Sequence, residues 1–352
     1  MSYNSYLDYK TMRQSNFELL RILCMLGVIT GHALQSLYDI HTQNFSMVNT
    51  IQVFVFNACV VAVNCFVMIS GYFRIRQSWK GITSLWTQLL FYAVISLILC
   101  LWLKPEQSLM VGIKRIVFPL SESGLWFIAT YIGLYLMSPL LNAALDHQSR
   151  QQKVWTLVLL LIVDVYLGYM HQTEEITING YHLTHFIVLY WLGNCMNEFK
   201  KKTESGKWGK AFLIIVIVNT VLHAIKMVFP PIAIIYSMRY NAPTTLVASM
   251  CLFSWVLTWK IQSKTINWFA KSALAVYVCS EFLPIYYRPI LWIHDMYQGG
   301  AEAVLLLLFI LMFYISVASF DKVRIRITEP IVKILSVKSE RWWKSTKKYT
   351  RN

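Results

Sequence analysis

The run FELLRILCMLGVITGHALQSLY, Phe17–Tyr38, decides what kind of protein this is. It offers about 22 residues broken only by Glu18, Arg21 and His32, and a helix that crosses a membrane needs about 20 mostly apolar residues. Windows of the same kind recur as far as Phe320 and leave little chain over. The expected fold is therefore an all-α integral membrane protein of about ten transmembrane helices. The spans are predicted at about 17–38, 48–70, 84–103, 124–141 and 154–170, then about 180–197, 210–229, 243–260, 268–290 and 301–320. Composition agrees: 57% of the 352 residues are hydrophobic and 14% are charged, with mean hydropathy +0.49. An ordinary soluble domain carries about 25% charged residues, so a soluble enzyme is excluded.

The balance of 32 Lys and Arg against 17 Asp and Glu, net +15, would point to nucleic acid in a soluble chain. Here the bases sit in alternate connections, so no nucleic-acid partner is expected. With the N-terminus inside, 25 of the 32 fall on one side of the membrane and only Lys104, Lys114, Arg115, Arg239 and Arg288 on the other. That asymmetry orients a membrane protein, and it places both termini in the cytoplasm. Three parts follow: an N-terminal arm over 1–15, a transmembrane domain over 16–320 and a basic tail over 321–352. The tail's ten basic residues are interleaved with Ile331, Leu335, Trp342 and Trp343. Such a segment can adhere to an anionic inner leaflet, or it can be solvated and serve only to fix topology. Met110–Leu120, with Lys114 and Arg115 among apolar neighbours, suits the membrane interface. No small-residue cleavage site follows the first span, which is expected to stay. The seven cysteines lie in apolar segments without a CxxC pair, so neither a disulfide framework nor a metal site is expected.

Ionisable residues inside membrane helices are costly and usually functional. They are Glu18, Arg21, His32, Asp164, His223, Lys226 and Glu281. Arg21 and His32 are the informative pair. Eleven residues turn a helix through about 1,100°, only about 20° beyond three full turns, and raise it about 16.5 Å. Both side chains thus face one way at different depths. Arg21, near the cytoplasmic end, can hold phosphate, and His32, past the middle, can take a proton. Coenzyme A has a matching shape, with charged phosphates at one end of a long arm and a thioester at the other. In the competing reading Arg21 snorkels to the headgroups and His32 satisfies a helix contact. Asp164, Lys226 and Glu281 come out at middle to outer depth. They can line a cavity for a polar acceptor entering from outside, with Glu281 orienting His32 or binding a hydroxyl, or they can form a buried ion-pair network made for packing. Trp126 is placed to stack on a sugar or to sit in the interfacial aromatic belt. Asn57 and Asn64 share a face and read as interhelical ties.

The stretch Asn16-Phe-Glu-Leu-Leu-Arg21 through Gly31-His32 resembles the opening helix of the membrane-bound acyltransferase 3 family, with its Arg-x10-His pattern. Asn64-Cys-Phe-Val-Met-Ile-Ser-Gly-Tyr72 resembles that family's second helix, and Leu125-Trp-Phe127 with Tyr131 and Pro139 its Leu-Trp-Phe/Tyr helix. The likeness is clear over about residues 16 to 140 and rests on helix count beyond. It implies a ten-helix enzyme that moves an acyl group, commonly acetyl, from cytoplasmic acyl-CoA to a hydroxyl of a surface polysaccharide or its lipid-linked precursor. His32 and Arg21 inherit the family's roles as base and donor contact. Arg74 and Arg76 stand where the family often has Arg-x-x-Arg, and they are expected to touch the coenzyme phosphates or to serve as positive-inside charge. Some relatives carry an extracytoplasmic esterase-like domain; none is expected here, and transfer is expected to be direct or with a separate partner. The implied setting is the cytoplasmic membrane of a bacterium, with acetyl-CoA as co-substrate, no permanently bound cofactor, membrane lipids as neighbours and a homo-oligomer allowed. A sugar hydroxyl is a poor nucleophile until a base accepts its proton, and imidazole suits that task. No Gly-x-Ser-x-Gly elbow is present. A secondary transporter with buried coupling charges is the rival class, but two repeat-related halves are not found.

Overall fold

The apolar runs fold as helices. The computed structural model describes residues 14–38, 40, 46–103, 109–121, 125–171, 179–199 and 205–349, and among the described residues every regular element is helical. Most of the N-terminal arm, Lys104 and the run Lys200, Lys201 and Lys202 lie outside the described residues. The helices are α1 (Ser15–Leu37), α2 (Met47–Cys59), α3 (Val61–Phe73), α4 (Trp79–Leu103), α5 (Leu109–Val117), α6 (Trp126–His147) and α7 (Arg150–Leu161), which continues as a π-helical stretch over Ile162–Met170. They are followed by α8 (Leu183–Glu198), α9 (Ser205–Val228), α10 (Pro243–Leu257), α11 (Lys264–Ala270), α12 (Ala273–Phe282), α13 (Pro284–Met296) and α14 (Gly299–Tyr349).

Seven of the described helices are long and apolar enough to cross a membrane, counting α2 and α3 as one span and α7 with its π-helical stretch as another. Their outer faces stay apolar: Trp102, Leu140, Leu159 and Met312 are all exposed, as side chains facing lipid tails must be. The chain is an integral membrane protein. Three predicted spans take other forms. The run 180–197 is the 16-residue α8, buried along most of its length, and 243–260 is the 15-residue α10. Helices enclosed by protein need not match the hydrocarbon thickness, because their neighbours replace lipid. The run 268–290 breaks into α11, α12 and α13, with Pro284 opening the last of these. Proline suits the first turn of a helix and not its interior.

The last helix departs from expectation in the other direction. Its 51 residues run through position 320 without a break, and Asp321 is fully buried. That carboxylate accepts from the Tyr92 hydroxyl at 2.9 Å, from Ser272 Oγ at 2.7 Å and from Arg324 Nε at 2.8 Å, which fastens the first turns of the expected tail to α4 and to the turn before α12. Short α5 keeps Leu109, Met110, Ile113 and Val117 exposed, the one-sided pattern of a helix in an interface.

Two features position the site. First, α1 is central and packs on α2, α3, α10, α11, α12, α13 and α14. Asn16 Nδ2 donates to the Val256 carbonyl at 3.0 Å, and the Tyr286 hydroxyl donates to the carbonyl of Ile29. Second, α3 and α8 cross with backbones touching. A Cβ built on Gly71 would fall on the Tyr190 carbonyl, and one on Gly193 on the carbonyl of Met68. Only glycine permits that approach.

Candidate active site

The periodicity of α1 puts Glu18, Arg21 and His32 along one line of cavities. Arg21 Nη1 and Glu18 Oε1 form an ion pair at 2.6 Å. Further along α1, His32 Nδ1 lies 2.8 Å from Glu281 Oε1, carried on α12. The imidazole is 22% exposed and the carboxylate 14%, so their interaction is only weakly diluted by solvent. Nδ1 is the ring nitrogen close to the carboxylate, although the two atoms are not in hydrogen-bonding geometry, and Nε2 is the nitrogen left to meet a proton on another molecule.

Two cavities meet at this histidine. The larger, about 520 Å³, begins among Arg21, Arg74 and Lys271, passes Ser70 and Tyr131, whose hydroxyls lie 3.0 Å apart, and reaches Phe127, Trp126 and His32. The smaller, about 280 Å³, is lined by His32, Gln35, Asn179, Tyr181, Lys226 and Arg239 among others. Val28, His32, Val63 and Tyr240 line both. One cavity therefore follows α1 toward its N-terminus and the other toward its C-terminus, with His32 in the partition. The larger is basic at its mouth and aromatic within. That suits an anionic headgroup followed by an uncharged arm.

The expected residues distribute unevenly over this geometry. His32, Glu281 and Arg21 come together along α1. Arg74 lines the larger cavity and pairs with Asp146. Arg76 does not line it and is exposed. The difference is backbone: Arg74 sits at φ 59°, in the left-handed region, and Ile75 then turns inward, its N–H donating to Tyr190 Oη at 3.0 Å, so Arg76 points out. Trp126 lines the larger cavity near the partition rather than the smaller, already stacked on Tyr240 with centroids 5.6 Å apart. Lys226 lines the smaller cavity as expected.

Asp164 lines neither cavity. The π-helical stretch aims it inward, where it is fully buried with Oδ2 at 2.7 Å from His185 Nδ1. His185 Nε2 faces Asn64 Oδ1 at 3.1 Å, and Asn64 Nδ2 donates to the Tyr240 carbonyl at 2.9 Å and to Ser249 Oγ at 3.1 Å. A carbonyl only accepts, so the Asn64 amide can be oriented one way, and its oxygen then requires a hydrogen on His185 Nε2. The contact between His185 Nδ1 and Asp164 Oδ2 closes the other end of the relay. The relay ends on Tyr240, a wall of both cavities. His185 escaped the sequence reading because it opens a span, where a histidine passes for an interfacial residue. Tyr240, Arg239 and Lys271 likewise lie in connections, where no periodicity singles them out.

Comparison with known proteins adds the family. No curated protein and no solved structure matches the chain. A family model described as an acyltransferase domain matches residues 14–320, which takes in both cavities and every residue of the candidate site. On that match the chain belongs to the acyltransferase 3 family and is an integral membrane acyltransferase.

Proposed function

We propose that the protein transfers an acyl group, acetyl being the simplest, from cytoplasmic acyl-CoA to a hydroxyl of a surface polysaccharide or its lipid-linked precursor, in the cytoplasmic membrane of a bacterium. The observation that carries this reading is that His32 lines both cavities. The donor's phosphates rest on Arg21 and Arg74, Lys271 adds charge at the mouth, and the thioester extends along the aromatic interior to His32. The acceptor hydroxyl comes from the smaller cavity. His32 Nε2 takes its proton as the oxygen attacks the thioester carbonyl, and Glu281 stabilises the imidazolium that forms. Collapse of the tetrahedral adduct breaks the carbon–sulfur bond, and the imidazolium returns the proton to the leaving thiolate. Ester and free CoA thiol result, and His32 is neutral again.

The test is transfer of radiolabelled acetyl from acetyl-CoA by purified protein in liposomes supplied with candidate glycans. Wild type is expected to label glycan, and His32→Ala to lose transfer with abundance and membrane insertion near normal. Retained transfer in His32→Ala would overturn the mechanism.

A further inference from the structure

The charges of the smaller cavity are unlike those elsewhere in the protein. In the rest of the described structure Arg21 is matched by Glu18, Arg74 by Asp146, Lys153 by Glu198 and Arg324 by Asp321, and half-buried Lys322 donates to the Trp268 carbonyl and to Ser272 Oγ, each at 2.7 Å. Lys226 and Arg239 both line the smaller cavity, both are half-buried, and among the described residues no carboxylate lines it or reaches either cation within ion-pair distance. Unpaired cations inside a membrane protein are costly and persist where a ligand supplies the opposite charge. Topology does not account for Arg239. In the proposed orientation Arg239 lies on the side that holds only five of the 32 basic residues, where positive charge is selected against.

From this we infer that the acceptor is an anionic glycan, with a phosphate or carboxylate held by Lys226 and Arg239 while a neighbouring hydroxyl meets His32. The inference rests on the acyl-transfer reading for the role of His32, and it names the substrate class of the same site. A cavity of about 280 Å³ that also contains His32 is small. An anion bound there belongs to the reacting sugar or to the one beside it. Tyr181 and Tyr240 give flat walls for sugar rings, and Gln35 and Asn179 give amides for hydroxyls. A neutral glycan would use those walls and amides alike and leave Lys226 and Arg239 without a counter-charge among the described residues.

The experiment uses the full chain in liposomes and two matched pairs of acceptors. One pair is a uronate-containing tetrasaccharide and its methyl ester, and the other a polyprenyl-diphosphate-linked disaccharide and the free disaccharide. Wild type is expected to prefer the charged member of one pair by about tenfold or more in kcat/KM, and the responding pair tells carboxylate from diphosphate. Lys226→Gln and Arg239→Gln are each expected to cut that preference about tenfold with the KM for acyl-CoA unchanged. No preference in wild type, preference kept in the double variant, or a raised KM for acyl-CoA with discrimination intact would each overturn the inference. Binding of the same four glycans is measured in His32→Ala, which cannot turn over. Charge-selective binding that depends on Lys226 and Arg239, with wild type transferring acyl to none of the glycans, would sink the acyl-transfer reading and keep this one. Absence of charge-selective binding would sink this one whatever the transfer assay gives.

Discussion

At the scale of single residues, the division of labour around His32 sets two expectations. Glu281→Gln keeps the size of the side chain and removes the charge that stabilises a protonated imidazole. It is expected to lower kcat about 10²-fold while leaving the KM for acyl-CoA alone, as steady-state kinetics with purified protein would show. An equal effect on both parameters would mean that Glu281 serves packing. The arginines after α3 are to be separated in the same assay. Arg74→Ala is expected to raise the KM for acyl-CoA about tenfold, and Arg76→Ala to leave it within about twofold, because only Arg74 lines the larger cavity. Arg21 and His32 were legible in the sequence because helical pitch alone aligns them. Arg74 and Arg76 were not separable there, since their difference lies in a positive φ and an inward turn at Ile75 that two arginines in a connection do not announce.

At the scale of elements, the crossing of α3 and α8 fixes where the wall of the larger cavity stands. Gly71→Ala and Gly193→Ala would each drive a methyl into a carbonyl of the facing helix. Overpacking of a core costs about 1–3 kcal/mol, and backbone cannot step aside as a side chain can, so each variant is expected to melt several degrees lower or to fail to accumulate. Melting followed by tryptophan fluorescence would check this, and a wild-type transition in either variant would contradict the crossing. The Ser-Gly motif noted at Ser70-Gly71 thus has a packing reason for its glycine and a cavity-facing hydroxyl for its serine. The relay beside it is equally specific. His185→Phe strands the Asp164 carboxylate in a fully buried site, which costs about 3–5 kcal/mol, whereas Asp164→Asn with His185→Gln keeps polar partners and is expected to recover much of the loss. Hydropathy located the apolar runs but did not separate helices that meet lipid from helices that meet protein. That is why α8 and α10 looked like ordinary spans and the breaks near 272 and 284 were hidden within one.

At the scale of the whole molecule, the central helix joins two cavities that lead toward opposite ends of it, and α14 braces the assembly by carrying the expected tail onto α4 through Asp321. Under the proposed function, such an arrangement would let a cytoplasmic donor and an outer acceptor react without either crossing the bilayer. It also makes the partition a seal. His32, Tyr240 and the two small aliphatic side chains Val28 and Val63 line both cavities, so few side chains separate one from the other. Val28→Gly with Val63→Gly is expected to admit a continuous thread of water. Proteoliposomes containing that variant should dissipate a pH gradient, read with an entrapped pH-sensitive dye, while wild-type vesicles hold theirs. The valines would then be kept for what they hold back, since, under the proposed function, a cell that spent its proton gradient to decorate its surface would gain nothing from the decoration.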